Sequence, residues 1–580
     1  MSCNFVNLLS RLRKSSAESV ENIDSFESFK KYLHIERKVE LELKEILRKI
    51  NASNQKALVM LCGAAGDGKS HLISYLKNSD SENLLSDWEI LNDATESSAP
   101  NKTSIDTLNE KLTQYNDYNV EYPYGKKTIV AINLGTLSNF IESSAGKNYS
   151  KLKDFIYSHG VLSDFTHITR YFDGSIFQYV SFSDYQVFSL DRTGYQTTFL
   201  ENLFEKIFSR NDNNDFYREY LRNQNCVFAK QCPVRHNFEF LSEKNNQLAV
   251  IKKIVDSVLI DKIITSTRDI LNLIYDILVH PDFEPDFSSS HKENLHFPQY
   301  INFTTPVLLN EYSDISPLLD SINNRDTLKY RNELLDEKII NYQALTNIDV
   351  IFKKITSNTS YFLFSEIKGF SSFINKTARK SEVYKFLIRL NDIIDFNQYK
   401  ENREYIKEYI HYLYLQNSNQ EIELSPLYNY TKKAILNWDG DFNGEYINID
   451  NNNDKLFMLQ ELSLKPKINR GNHVIKGSID RFYPTIRLYF DKSDGSNEPI
   501  ELRVDYDLFV LIKKIEEGYR PTVHDRLKHT DFVSFIKKVT MNNIAEQKLK
   551  IIPKDPTKNY GVKVYFDGIS NVFEIESSKD

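Results

Sequence analysis

Residues 57–79, ALVMLCGAAGDGKSHLISYLKNS, restrict what this chain can fold into more than any other stretch. The apolar run Ala57–Cys62 reads as a buried strand, and it feeds directly into Gly63-Ala64-Ala65-Gly66-Asp67-Gly68-Lys69-Ser70. That octet has the spacing G-x-x-x-x-G-K-[ST] of a phosphate-binding loop. Leu72, Ile73 and Leu76 follow at helical spacing, so a helix opens where the glycines end. Glycines let backbone N–H groups close around an anion, and the start of a helix adds its positive dipole end. Lys69 is expected to bridge β- and γ-phosphates and the Ser70 hydroxyl to hold Mg²⁺. The expected nucleotide contacts are therefore Gly63, Ala64, Ala65, Gly66, Asp67, Gly68, Lys69 and Ser70, with His71 next in the helix. The bland alternative is a chance glycine turn, and the strand before it and helix after it speak against that.

The neighbouring segments alternate in the same way. Asp87–Asp93 reads as a short strand, Lys102–Tyr115 as a helix with Ile105, Leu108 and Leu112 as its spine, and Thr128–Gly135 as a continuous apolar strand turning at the glycine. A mostly helical stretch from Leu137 to Tyr157 precedes a strand over Ile176–Phe182. Apolar runs of this kind suit strands covered on both faces, so the fold class expected is α/β, a P-loop NTPase with a parallel sheet. Residues 1–30 look like a loosely packed, Ser- and Glu-rich lead-in, and a charged helix over Tyr32–Ile50 delivers the chain to the first strand. The nucleotide-binding domain then spans 31–196 and a helical lid 197–283. Pro281–Pro298 is a polar, Ser-rich boundary. Beyond it a mainly helical domain over 299–440 and an α+β domain over 441–580 make a mixed α+β C-terminal half.

Hydrolysis needs an acid at a neighbouring strand end to hold the metal shell, and a group to orient water. Asp93, with Glu96 nearby, has the right residue types for both catalysis and Mg²⁺, but follows Lys69 so soon that only one helix and one strand fit between. Asn133 lies at a more usual distance and is not an acid; Asp184 closes the third strand. Each is equally the kind of polar residue that closes a strand and binds a turn. Arg268 falls in the first turn of a helix after the α/β region, where a positive charge opposes the dipole unless an anion such as a γ-phosphate compensates. An exposed arginine paired with Asp269 or Asp276 is the plainer reading. Asn101-Lys102-Thr103-Ser104 lacks the final Asp of N-K-x-D, so ATP is preferred to GTP.

Three weaker patterns remain. Cys226, Cys232 and His236 form C-x₅-C-x₃-H, a loose zinc spacing without a fourth ligand, for which buried thiols are the ordinary alternative. Asp349 followed by Glu366-Ile367-Lys368 imitates the D…E-x-K pattern of metal-dependent nucleases, carried by a strand expected over Tyr361–Ser365. Lys513, Lys514, Arg520, Arg526, Lys528, Lys537 and Lys538 concentrate positive charge, diluted by Glu516, Glu517, Asp525 and Asp531; a solvated helical face and a phosphate-backbone contact both fit.

At 580 residues the chain is too long for one core. A net charge of −7 excludes a globally basic nucleic-acid binder and leaves room for a local basic groove. Four cysteines in this length argue against a disulfide framework. The apolar patch of MSCNFVNLLSRLRKSS precedes its basic residues, the wrong order for a secretory signal, and no run approaches the ~18 apolar residues of a membrane span. A cytoplasmic protein with no membrane partner is expected.

The segments LCGAAGDGKSHLISYLKN (61–78), LNDATESSAPNKTSIDTLNEKL (91–112) and VAINLGTLSNF (130–140), together with CPVRHNFEFL (232–241), resemble the DNA phosphorothioation-dependent restriction protein DptF family. The resemblance is clearest in the N-terminal half. It implies a subunit of a bacterial defence system that restricts DNA lacking a sulfur-modified backbone, acting with partner subunits that include a separate helicase-like ATPase. It also implies that Gly63–Ser70 is the nucleotide site, and it transfers no catalytic acid.

Overall fold

The computed structural model describes residues 3–14, 28–53, 55–92, 102–122, 124–162, 171–226, 229–283, 301–311, 315–329, 333–366, 370–375, 377–395, 403–440, 446–450, 453, 455–462, 464–468, 474–492, 498–542, 548–555, 557, 561–567 and 572–578. They form two compact units. The first takes 1–189, 197–399 and 480–482; the second takes 190–196, 400–479 and 483–580.

The first unit is built on four strands, β1 (Leu58–Cys62), β2 (Trp88–Leu91), β3 (Lys127–Ile132) and β4 (Phe177–Ser181), in the order β2-β3-β1-β4. All neighbours are parallel, with Leu61 level with Ala131 and Val180, and Leu91 level with Val130. This is an α/β fold with a fully parallel sheet. Side chains alternate between its faces. On one face Val59, Leu61, Ile129, Ala131 and Val180 pack against α3 (Lys38–Ser53) and α4 (Lys69–Asn78). On the other, Met60, Cys62, Val130, Ile132 and Tyr179 pack against α5 (Ser104–Lys111), α6 (Leu134–Glu142) and α7 (Ser150–Ser158). Burial on both faces is why β1 and β3 are unbroken apolar runs. β3 stops at Ile132 and Gly135 lies inside α6, so the turn falls at Asn133 rather than at the glycine.

Two helices were not legible in the lead-in. α1 (Asn4–Lys14) buries Phe5, Val6, Leu9 and Leu12, and α2 is Ser28–Leu33. The helix expected from Tyr32 begins only at Lys38: residues 34–37 are non-helical, and His34, Ile35 and Arg37 line a cavity. Thr197–His280 is helical as expected: α8 (Thr198–Phe208), α9 (Asp215–Arg222), α10 (Pro233–Leu241), α11 (Lys244–Ile260) and α12 (Thr267–Asp276). Helices between Thr305 and Ile394 complete the unit. The strand expected over Tyr361–Ser365 is instead a 3₁₀ turn, Ser360–Glu366, whose Tyr361 and Phe364, three residues apart, are both buried.

The second unit holds an antiparallel hairpin, Ile486–Phe490 with Ile500–Val504, and a separate five-stranded sheet whose last three strands are Lys548–Pro553, Gly561–Asp567 and Val572–Ser578. Helices Arg403–Asn417, Ser425–Leu436, Tyr506–Glu516 and Thr530–Asn542 make it a mixed α+β body.

Candidate functional site

The glycine-rich loop sits between β1 and α4, at the C-terminal edge of the parallel sheet where crevices between strand ends collect ligands. Gly68 occupies the N-cap of α4 at φ +107°, a left-handed conformation that a side chain would strain. Gly66, at φ +90°, meets α12: a Cβ there would lie 2.8 Å from the Cβ of Arg268 and 3.0 Å from the Ser266 hydroxyl. The Arg268 N–H donates to the Gly66 carbonyl at 3.2 Å. The start of α12 is fixed by a reciprocal cap in which the Ser266 hydroxyl accepts from Asp269 N–H and the Asp269 carboxylate accepts from Ser266 N–H. The loop and the start of α12, about two hundred residues apart in sequence, thus form one structure.

Lys69 turns back onto its own loop. Its ammonium donates to Gly63 O (2.9 Å), Ala64 O (2.7 Å) and the Asn133 side-chain oxygen (3.0 Å). Asp67 closes the loop by accepting from the Ala64 N–H at 2.6 Å. Burial raises the Asp67 carboxyl above its ordinary range, against the pull of that N–H and of Lys69 and Arg37.

Lys69, Asp67 and Asn133 line a cavity of about 280 Å³ whose walls are of two chemistries. Gly66, Lys69, Ser70, Asn92, Asn133 and Arg268 give it polar lining rich in N–H donors. Leu33, Ile35, Phe199, Leu203 and Leu271 give it apolar lining, joined by Arg37, whose guanidinium lies 4.8 Å from the Phe199 ring centre and 5.5 Å from that of Phe182. His71 and His34 also line the cavity: the His71 Nε2 lies 3.1 Å from His34 Nδ1, while His34 stacks on Tyr75 and its Nε2 lies 3.2 Å from Glu40. Burial pulls the His71 pKa down to about 4, with His34 and Lys30 acting the same way.

The structure brings Lys69, Ser70, Asn133 and Arg268 together at one cavity. Asp93 and Glu96 lie outside the described residues, as does Lys368. Asp184 is in a 3₁₀ turn after β4 and does not line the cavity; burial pushes its pKa up to about 6 beside Arg481, which acts the other way. Cys232 is buried and Cys226 half-buried, the His236 Nε2 lies 3.0 Å from the Lys230 carbonyl, and among the described residues no three metal-type side chains gather. Asp349 begins a helix and pairs with Lys353 at 2.9 Å. Of the basic cluster, Lys513 pairs with Glu408, Arg526 with Asp439 and Lys528 with Asp507. Sequence reasoning passed over Asn92, Arg37, His34 and Phe199. Asn92 had a signal, its place at the end of the β2 run; the others sit in segments without a motif. No helix among the described residues is long and apolar enough to cross a membrane. Comparisons with protein-family models, with curated proteins and with solved structures found no match to this chain.

Proposed function

We propose that the cavity binds ATP with Mg²⁺ and that the chain is an ATP-hydrolysing P-loop subunit of a phosphorothioation-dependent DNA restriction complex. The observation that supports the nucleotide reading is the joint placement of loop residues 65–70, Lys69 among them, with Asn133 and the Arg268 helix around one cavity lined by cationic, polar and apolar side chains. The polar lining suits a triphosphate and the apolar lining a base. Fit to the metal is supported by the Ser70 hydroxyl, which would hold it, and by the buried side chain of Asn92, which has no hydrogen-bond partner among the described residues. A bound Mg²⁺ would supply charge neutralisation at the phosphates. Lys69 would exchange its loop carbonyls for phosphate oxygens, and Asn133, released from Lys69, would orient water. Arg268 would add positive charge at the terminal phosphate. The restriction context, its partner subunits and any DNA contact rest on the resemblance to DptF proteins.

A second reading is a nucleotide-dependent switch or scaffold with little turnover. It is favoured by Asn133: the strand beside β1 ends in an amide hydrogen-bonded to Lys69, not in a carboxylate. ATP turnover measured with and without DNA and partner subunits separates the two. The hydrolysing engine predicts stimulated turnover that falls about 10–100-fold in Asn133→Ala; the switch predicts tight binding with no stimulated turnover.

A further inference from the structure

Asn92 follows β2 immediately, one residue past the level pair Leu91–Val130, and so stands level with Ala131. Alternation places Asn92, Ala131 and Asn133 on the face of the sheet that α4 covers. Asn92 is 8 % exposed and lines the same cavity as Lys69, Ser70 and Asn133. Neither its side-chain oxygen nor its nitrogen has a hydrogen-bond partner among the described residues. A buried amide with both ends unmet is destabilising and rare in a finished fold, and at a cavity wall it marks where a ligand supplies the missing partners. Asn133, one strand inward, is already engaged by Lys69; among the described residues Asn92 has no such use.

We propose that Asn92 is a direct contact for the phosphate end of a nucleoside triphosphate and its hydrated divalent cation. Its Nδ2 donates to an anionic oxygen and its Oδ1 accepts from ligand-associated water. The assignment rests on the nucleotide reading of the glycine loop. An amide is uncharged, so it orders the ligand without adding negative charge beside the metal. An aspartate of the same size would add it and raise the preference for the metal-loaded nucleotide.

The test uses the full chain, a fluorescent ATP analogue with Mg²⁺ or with EDTA, and thermal melting without nucleotide. Asn92→Leu, close in volume and without polar atoms, is expected to leave the ligand-free melting temperature unchanged or higher, and to weaken Mg²⁺–nucleotide binding about tenfold or more. Asn92→Asp is expected to enlarge the affinity gained on adding Mg²⁺ by about fivefold or more. If Asn92→Leu binds as the wild type does while Lys69→Ala does not, the Asn92 assignment is overturned and the loop reading stands. A lower ligand-free melting temperature in Asn92→Leu would overturn it too, by showing a structural amide. Wild-type protein that binds no nucleotide would overturn both.

Discussion

Gly66 is the residue on which the loop and α12 depend together. Its positive φ admits few side chains, and its missing Cβ leaves room for Arg268 and Ser266. Gly66→Ala is therefore expected to push α12 away and weaken nucleotide binding at least about tenfold; Gly174→Ala, which shares a positive φ (+74°) but has nothing within reach of a Cβ, is expected to strain its own turn and leave nucleotide binding unchanged. Calorimetric titration of the two variants with the Mg²⁺–nucleotide checks this. Lys69 and Asn133 behave differently. In the structure they satisfy one another, so a ligand competes with existing hydrogen bonds, and the half-buried lysine beside the loop keeps its partners until a ligand replaces them. The loop was legible residue by residue because its backbone demands fix its spelling. Asn92 was not, since an asparagine after a strand is also an ordinary turn residue, and only its burial without partners distinguishes it.

At the scale of elements, α1 shows what composition hides. Its Ser- and Glu-rich surroundings suggested a loose lead-in, yet Phe5 is 1 % exposed and packs edge-on against Tyr220 and Phe238, with ring centres 6.1 and 5.4 Å away. Phe5→Ala is expected to destabilise the first unit by about 3–5 kcal/mol, measured by denaturant unfolding. α1 also lies along α12 and places Arg13 3.6 Å from Asp276. Burial pushes the Asp276 pKa up to about 6, Arg13 opposing it. The folded chain thus holds that proton more tightly than the unfolded one, so its contribution to stability is full at pH below about 4 and is lost as pH rises through 6. Asp276→Asn is expected to be more stable than wild type by about 1–3 kcal/mol at pH 8, with the difference vanishing near pH 4 in paired melting curves. The strands β1, β3 and β4 could be read because both faces are covered and the runs are purely apolar. The expected strand at Tyr361–Ser365 failed because a short apolar run has no period long enough to separate strand from 3₁₀ turn, and its buried Tyr361 and Phe364 follow the three-residue spacing.

At the scale of the whole molecule, chemistry concentrates in one of two units. The first carries the parallel sheet, the loop, the cavity and the Arg268 helix; the second carries an antiparallel sheet and a basic cluster, several of whose members are paired with carboxylates. Under the proposed restriction role, a net charge of −7 would confine any direct contact with a phosphate backbone to a small patch. The α/β class was legible because the strand–helix alternation runs through consecutive segments. The interleaving of the units, with 190–196 and 480–482 exchanged, was not, since short crossings leave no trace in periodicity. The central claim is that the Gly63–Ser70 loop binds a magnesium nucleotide, and titration of the full chain and of Lys69→Ala with a fluorescent ATP analogue in Mg²⁺ tests it most directly. Saturable binding by the wild type that weakens about a hundredfold or more in Lys69→Ala is the predicted result; equal binding by both, or none by the wild type, would contradict it.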